Sequence, residues 1–269
     1  MTPDDTYTHG HHESVLRSHS MRTVENSAAY LIPHLISGTT VLDIGCGPGT
    51  ITEGLAARVA PGRVVGIDRE SGPLDAAAAV AKDKGLDNLT FRVGDAYALE
   101  FPDDAFDVVH AHQVLQHLTD PVAALTEMRR VCRPGGIVAA RDADYAAMTW
   151  HPANAALDRW LEVYHRVARH NHAEPDAGRR LKSWARAAGF SELTCTASAW
   201  CFASADERSW WAGTWAQRVT ESAMAEQALA AGISTPAELA DLAAGWLAWA
   251  QAPDAWFAVL NAEIVAVAP

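Results

Sequence analysis

A strand, a glycine turn and a helix start follow one another without interruption over Val41-Leu42-Asp43-Ile44-Gly45-Cys46-Gly47-Pro48-Gly49-Thr50, and this order constrains the fold more than any other feature. Val41, Leu42 and Ile44 suit a buried strand, and Gly45 with Gly47 lets the backbone turn sharply and approach a ligand closely. The helix beginning beyond the turn presents unpaired N–H groups and a positive dipole end, a seat for a carboxylate or a phosphate. Thr50 and Glu53 read as a capping box, Ile51, Leu55 and Val59 recur at helical spacing, and Pro61-Gly62 ends the run. About twenty residues after the turn, Val64 to Asp68 ends a second strand in a carboxylate, from which ribose hydroxyls are held. Together these features point to an adenosine-type ligand rather than to a bare tight turn.

The alternation continues from Thr39 to Asp142 and predicts βαβ units with a parallel sheet. Strands are expected at Thr40–Ile44, Val64–Asp68, Leu89–Val93, Phe106–Ala111 and Ile137–Arg141, with their carboxyl ends along one edge. Asp120-Pro121 opens a helix with Val122, Leu125 and Met128 on one side, and Pro134-Gly135-Gly136 closes it. Upstream, residues 14–35 read as one or two amphipathic helices burying Val15, Leu16, Tyr30, Leu31 and Leu35, placed to cover a ligand mouth. Downstream, residues 153–170 and 176–188 read as helices, Leu193–Ala203 as a strand or hairpin, 205–252 as a Trp- and Ala-rich helical segment, and Trp256–Val267 as a last strand returning to the sheet edge. The expected fold is α/β: a doubly wound, mostly parallel, seven-stranded sheet with N-terminal helices and a helical cap inserted before the last strand. Residues 1–38 would form the lid, 39–204 and 253–269 the sheet domain, and 205–252 the cap.

Composition narrows the partners. With 269 residues, 49% apolar and 20% charged, the chain supports one large core with an accessory element. A net charge of -12 with no basic run repels polyphosphate backbones and argues against nucleic acid. Charges interrupt every apolar stretch before it reaches membrane-spanning length, and polar, acidic residues follow Met1, so a cytoplasmic protein is expected. Cys46, Cys132, Cys195 and Cys201 stand apart with no Cys-x-x-Cys pair, which fits neither a disulfide framework nor a zinc site. His9, His11 and His12 lack a carboxylate or thiol partner at fixed spacing and read as a polar lid or tail, so no metal is expected. A homodimer is compatible with these residues, and nothing in them requires one.

The glycine spacing also separates two cofactors. A dinucleotide fold wants Gly-x-Gly-x-x-Gly, whereas the third glycine here comes one residue early. With this spacing the sequence resembles the class I S-adenosylmethionine-dependent methyltransferases with their Rossmann-like fold, especially the ubiquinone/menaquinone-biosynthesis-like branch of small-molecule enzymes. The matching residues are those of the turn, Gly-Ile-Asp at 66–68, Gly-Asp-Ala at 94–96, Phe-Asp-Val-Val at 106–109, Val-Leu-Gln-His-Leu at 114–118 and Arg-Val-Cys-Arg-Pro-Gly-Gly at 130–136. The resemblance is specific over residues 39–142 and fades outside them. It implies that Asp43, Gly45 and Gly47, with Cys46 between them, hold the methionine portion of S-adenosylmethionine, Asp68 the ribose hydroxyls, and Asp95 with Ala96 the adenine. Arg69 would flank the adenosine, and His112 would lie beside the methionine end.

Methyl transfer from a sulfonium is an in-line displacement, so the chief task is to align acceptor, methyl and sulfur in a dry site and release S-adenosylhomocysteine. An acceptor hydroxyl gains acidity as it attacks, and a nearby His or carboxylate can take its proton. His112, His117, Asp142, Asp144 and Tyr145 fall at the carboxyl ends of the fourth and fifth strands, where such a group must sit. By resemblance to sugar and natural-product O-methyltransferases, His117 and Asp142 take the base positions. The competing readings are a packed His117 capping the next helix, and an Asp142 that is solvated or paired with Arg141. Trp210, Trp211, Trp215, Trp246 and Trp249 suit helix packing or an aromatic pocket. The expected function is methylation, on O or N, of a small metabolite or natural product. An NAD-dependent oxidoreductase and a non-catalytic adenosylmethionine binder on the same fold are the alternatives, and titration of both cofactors with product analysis separates them.

Overall fold

The computed structural model describes residues 5–8, 10, 18–19 and 21–269. Its first half alternates strand and helix: β1 (Val41–Ile44), α1 (Thr50–Val59), β2 (Val64–Asp68), α2 (Ser71–Asp83), β3 (Leu89–Val93), β4 (Phe106–His112), α3 (Pro121–Val131) and β5 (Cys132–Ala143). All four residues of β1 are buried, as expected of a strand covered by helices on both faces. Val41 lies opposite both Val64 and Val108 in parallel register, so Ile44, Asp68 and His112 finish along the same sheet edge. That edge is where an open α/β sheet receives its ligand.

The second half supplies β6 (Thr149–His151), α4 (Ala155–His170), a 3-10 turn (Ala177–Arg180) leading into α5 (Leu181–Ala187), β7 (Leu193–Phe202), α6 (Ala205–Glu221), α7 (Ala223–Ala230), α8 (Pro236–Ala250) and β8 (Trp256–Val267). The strand order runs β3-β2-β1-β4-β5-β8, with β7 and the short β6 also pairing β8. β6 brings the strands to eight, and three residues are too few to show a period.

The sequence-based expectations differ from this structure at four places. The last strand does not lie at the edge: β8 runs antiparallel to β5 on one side and to β7 on the other, and β7 is the outer strand. Pro134-Gly135-Gly136 does not separate helix from strand, because β5 already begins at Cys132. The glycines let it bulge and stay paired: Gly135 adopts φ +71° and its N–H donates to the Ala268 carbonyl at 2.9 Å. Residues 21–35 hold only the turn Val24–Ser27 and the 3-10 segment Ala29–His34 in place of long helices, Thr23 and Asn26 capping the first and Pro33 shortening the second. Leu31 and Leu35 are buried and Tyr30 is half-buried, while Val15 and Leu16 fall outside the described residues. Finally, Thr50 is the first residue of α1 and not its cap, a position held by Gly49 in the left-handed conformation.

Two apolar layers sandwich the parallel sheet, and a third core forms beyond it. Here α4 packs against α7 and α8 and meets α6 through the Trp160 and Trp215 rings, so the expected 205–252 cap shares its core with residues 155–170. Trp160 is the hub, its ring centroid 4.4 Å from that of Trp215 and 4.9 Å from that of Trp246. Such edge-to-face pairs are worth about 0.5–1.5 kcal/mol each beyond area burial. No helix among the described residues is long and apolar enough to cross a membrane.

Candidate active site

The turn after β1 is held open by backbone geometry that side chains disfavour. Gly45 has φ +65°, and a Cβ there would come within 2.4 Å of Val114 Cγ2. Asp68, at the end of β2, accepts the Gly47 N–H at 2.9 Å through one oxygen and the Glu70 N–H at 3.1 Å through the other. One carboxylate thus ties the glycine turn to the second strand and keeps lone pairs for a ligand. The Thr50 hydroxyl donates to the His19 carbonyl at 3.2 Å instead of capping α1. Glu53 pairs with Lys84.

The sheet edge bearing this turn lines a continuous cavity of about 720 Å³. Asp43, Gly45, Cys46, Gly47, Asp68, Arg69, Asp95, Ala96, His112 and His117 all border it; Asp142 and Asp144 do not. Asp43 turns both oxygens inward, one against His110 Nδ1 at 2.7 Å and the other accepting the Thr52 hydroxyl at 2.6 Å. Asp95 accepts the Tyr97 N–H at 2.9 Å and borders the cavity beside Ala96. Arg69 donates to the Asp5 carbonyl at 3.2 Å, and the Asp5 carboxylate accepts the Thr119 N–H at 2.7 Å, strapping the N-terminal segment across this end. Burial raises the Cys46 thiol pKa, so the thiol stays protonated.

Histidines line the deeper wall. His112 is buried with no partner at either ring nitrogen; burial and then the charges of Arg22 and Arg141 hold its pKa well below the ordinary value. His117 packs edge-on to Tyr7 with ring centroids 4.8 Å apart, and its Nε2 lies 3.0 Å from Gln116 Nε2. Burial, then Arg22 and Arg218, lowers its pKa to about 3. His117 does not cap the following helix, which is capped by Asp120 accepting the Ala123 N–H at 2.9 Å. Asp142 is fully buried behind the wall, accepts the Gln116 N–H at 3.1 Å, and is pushed up to about 8 by burial. Arg141 pairs with Glu263 at 3.3 Å, and Asp144 forms a two-point pair with Arg179.

Sequence reasoning missed Arg22, Gln113 and Trp200. The Arg22 guanidinium donates to Gln113 Oε1 at 2.7 Å and lies 5.7 Å from the Trp200 centroid, while its Nε is buried without a partner. Burial lowers its pKa to about 10, so it remains charged. Gln113 itself sits in the left-handed region at φ +53° just past β4, a conformation held by its N–H donating to the Arg141 carbonyl at 2.7 Å. Nothing local marks these residues, because each acquires its surroundings from a distant segment.

The same cavity has an aromatic part, a chamber walled by Tyr145, Trp200, Phe202, Trp210, Trp211 and Trp215. Trp246 and Trp249 are instead core residues. His9, His11 and His12 lie outside the described residues, and no group of side chains suited to a metal occurs among the described ones.

Comparisons with known proteins agree on one family. Residues 35–189 match a family model described as a methyltransferase domain. The chain is 38% identical over 224 residues to an uncharacterized methyltransferase, C1B3.06c, of Schizosaccharomyces pombe, covering 80% of each chain. It is 30% identical over 279 residues to the probable methyltransferase ltbC of Aspergillus luteorubrus, covering 97% of each. Among solved structures it is similar to the YcgJ protein of Bacillus subtilis, with a TM-score of 0.59 over 89% of this chain and 96% of that one; at 20% identity the likeness concerns the fold alone.

Proposed function

This chain belongs to the class I S-adenosylmethionine-dependent methyltransferases and takes S-adenosylmethionine as co-substrate, and we propose that it methylates oxygen or nitrogen of a small apolar or aromatic metabolite. The observation that carries this reading is the single cavity running from the acidic strand ends to the aromatic chamber, which suits a nucleoside at one end and a compact planar acceptor at the other.

The residues suit the co-substrate. Gly45 and Gly47 admit its backbone-hugging methionine portion, and Arg22, with a buried and unpartnered Nε, suits the methionine carboxylate. Asp68 would hold the ribose hydroxyls and Asp95 with Ala96 the adenine, with Arg69 over the adenosine and His112 beside the methionine end. When bound, S-adenosylmethionine supplies a methyl group activated by its sulfonium.

This chain's residues then have three tasks. The aromatic walls hold the acceptor and exclude water. His117, neutral at physiological pH with its Nε2 facing the Gln116 amide nitrogen at 3.0 Å, borders the cavity and orients the acceptor by packing against it. Asp142, which does not border the cavity, anchors the turn bearing His117 through the Gln116 N–H and is a positioning residue in this reading.

The test is product analysis. The protein incubated with S-adenosylmethionine and a panel of phenolic, carboxylic and amine metabolites should release S-adenosylhomocysteine and methylated product in equal amounts. Co-substrate binding without turnover on any class would overturn the small-molecule reading.

A further inference from the structure

Resting on the reading of Arg22 as the seat of the methionine carboxylate, we infer that Gln113 is the positioning residue of that seat: its amide ties the Arg22 guanidinium to β8 and aims it without neutralising it. The tie is a relay of three hydrogen bonds. Arg22 Nη2 donates to Gln113 Oε1 at 2.7 Å, Gln113 Nε2 donates to Asn261 Oδ1 at 3.1 Å, and Asn261 Nδ2 donates to the Val259 carbonyl at 3.1 Å. A guanidinium can only donate and a backbone carbonyl can only accept, so the two amides between them pair fully in one orientation. Asn261 has no exposed surface and lies on a strand paired on both sides, which fixes the far end of the relay.

The backbone is turned to serve this contact. Gln113 sits at φ +53°, uncommon for a residue with a Cβ, and both it and Arg22 border the cavity. Trp200 adds a second hold: its ring centroid lies 5.7 Å from the guanidinium, and its Nε1 donates to the carbonyl of Asn26, four residues further along the segment that carries Arg22. No carboxylate among the described residues pairs with Arg22, and the charges nearby include the cations Arg141 and Arg218. A buried guanidinium in that company, with its Nε unpartnered, is costly until an anion completes it. A carboxylate at position 113 would hold the same fork but cancel its charge and repel the anion; an amide holds it and leaves the charge for the ligand.

The test measures the binding of S-adenosylhomocysteine and of 5′-methylthioadenosine, which lacks the carboxylate, by calorimetry. Gln113→Leu should weaken S-adenosylhomocysteine about tenfold, the scale of a hydrogen bond to a charged group, and leave 5′-methylthioadenosine unchanged. Gln113→Glu, which keeps the shape and the contact to Arg22, should weaken S-adenosylhomocysteine at least as much. In an Arg22→Met background Gln113→Leu should have no further effect. Equal losses on the two ligands, normal binding by Gln113→Glu, or additive losses in the double variant would make Gln113 a merely structural residue and overturn the proposal. Weaker S-adenosylhomocysteine binding by Arg22→Met with none of it by Gln113→Leu also overturns it and leaves Arg22 in its place. Unchanged binding by Arg22→Met overturns it together with the reading of Arg22.

Discussion

The two ends of the cavity are built in different ways. The proposed nucleotide end comes largely from one stretch, Asp43 to Ala96, on strand ends and the turns that leave them, joined by Arg22 and His112. The acceptor end is collected from Tyr7, His117, Tyr145, Trp200, Trp211 and Arg218, which meet only because the cap packs over the sheet. The first depends on backbone geometry that a few glycines and acids impose locally; the second depends on side-chain packing at long range. An enzyme built so can keep its co-substrate while its acceptor changes with the cap.

The largest effect expected from separating the halves follows truncation of the cap core. Trp246→Ala removes an indole with no exposed surface and should cost about 3–5 kcal/mol of unfolding free energy in guanidinium titrations. In the fraction that remains folded, an aromatic probe should lose far more affinity than S-adenosylhomocysteine does; equal losses would show that the two ends act as one unit.

Within the nucleotide end, two substitutions distinguish the ends of the ligand. Arg22→Met should weaken S-adenosylhomocysteine binding by about 1.5–3 kcal/mol in calorimetry, the range of a charged hydrogen bond. It should leave 5′-methylthioadenosine, which lacks the carboxylate, unaffected; a loss on both ligands would remove Arg22 from the carboxylate. Asp68→Ala should cost about 1–3 kcal/mol on both ligands alike, since both carry the ribose.

The smallest effect is read in the pH dependence of stability. Asp142 is about 8 in the folded chain against 3.8 as its ordinary value, so between these limits the folded state binds more protons and stability falls as pH rises. Burial of His117 acts oppositely: with a folded value of about 3 against 6.5, its share of stability is lost as pH falls below 6.5. Asp142→Asn should remove only the first slope, so the variant gains on the unmodified protein as pH rises from 5 to about 8. A constant difference across that range would place the Asp142 carboxyl in an ionised state throughout.

How far these features were legible depends on how local each one is. The ends of β2 and β3 agree with the runs Val64–Asp68 and Leu89–Val93 because each run stops at a turn signal within its own segment. The cap of α1 differs because Thr50 and Glu53 form a valid capping pattern only if Thr50 is extended, and Gly49 in the left-handed conformation takes that place first. The position of β8 had a signal that went unused: Trp256–Val267 is nearly continuously apolar, as befits a strand paired on both sides, whereas β7 carries Thr194, Thr196 and Ser198 and is largely exposed. Arg22 had none, being one of 21 basic residues until Trp200 and Gln113 surround it.

By itself the sequence determined the parallel core, the glycine turn and the acids that follow it, because those features are set by backbone conformations that particular residues impose on their nearest neighbours. Only the tertiary structure decided that Asp142 lies behind the wall, that Trp211 and Trp215 face the cavity while Trp246 does not, and that Arg22 comes against Trp200 and Gln113. Those outcomes follow from which helix faces meet when the cap closes its aromatic core, and that choice belongs to packing among distant segments.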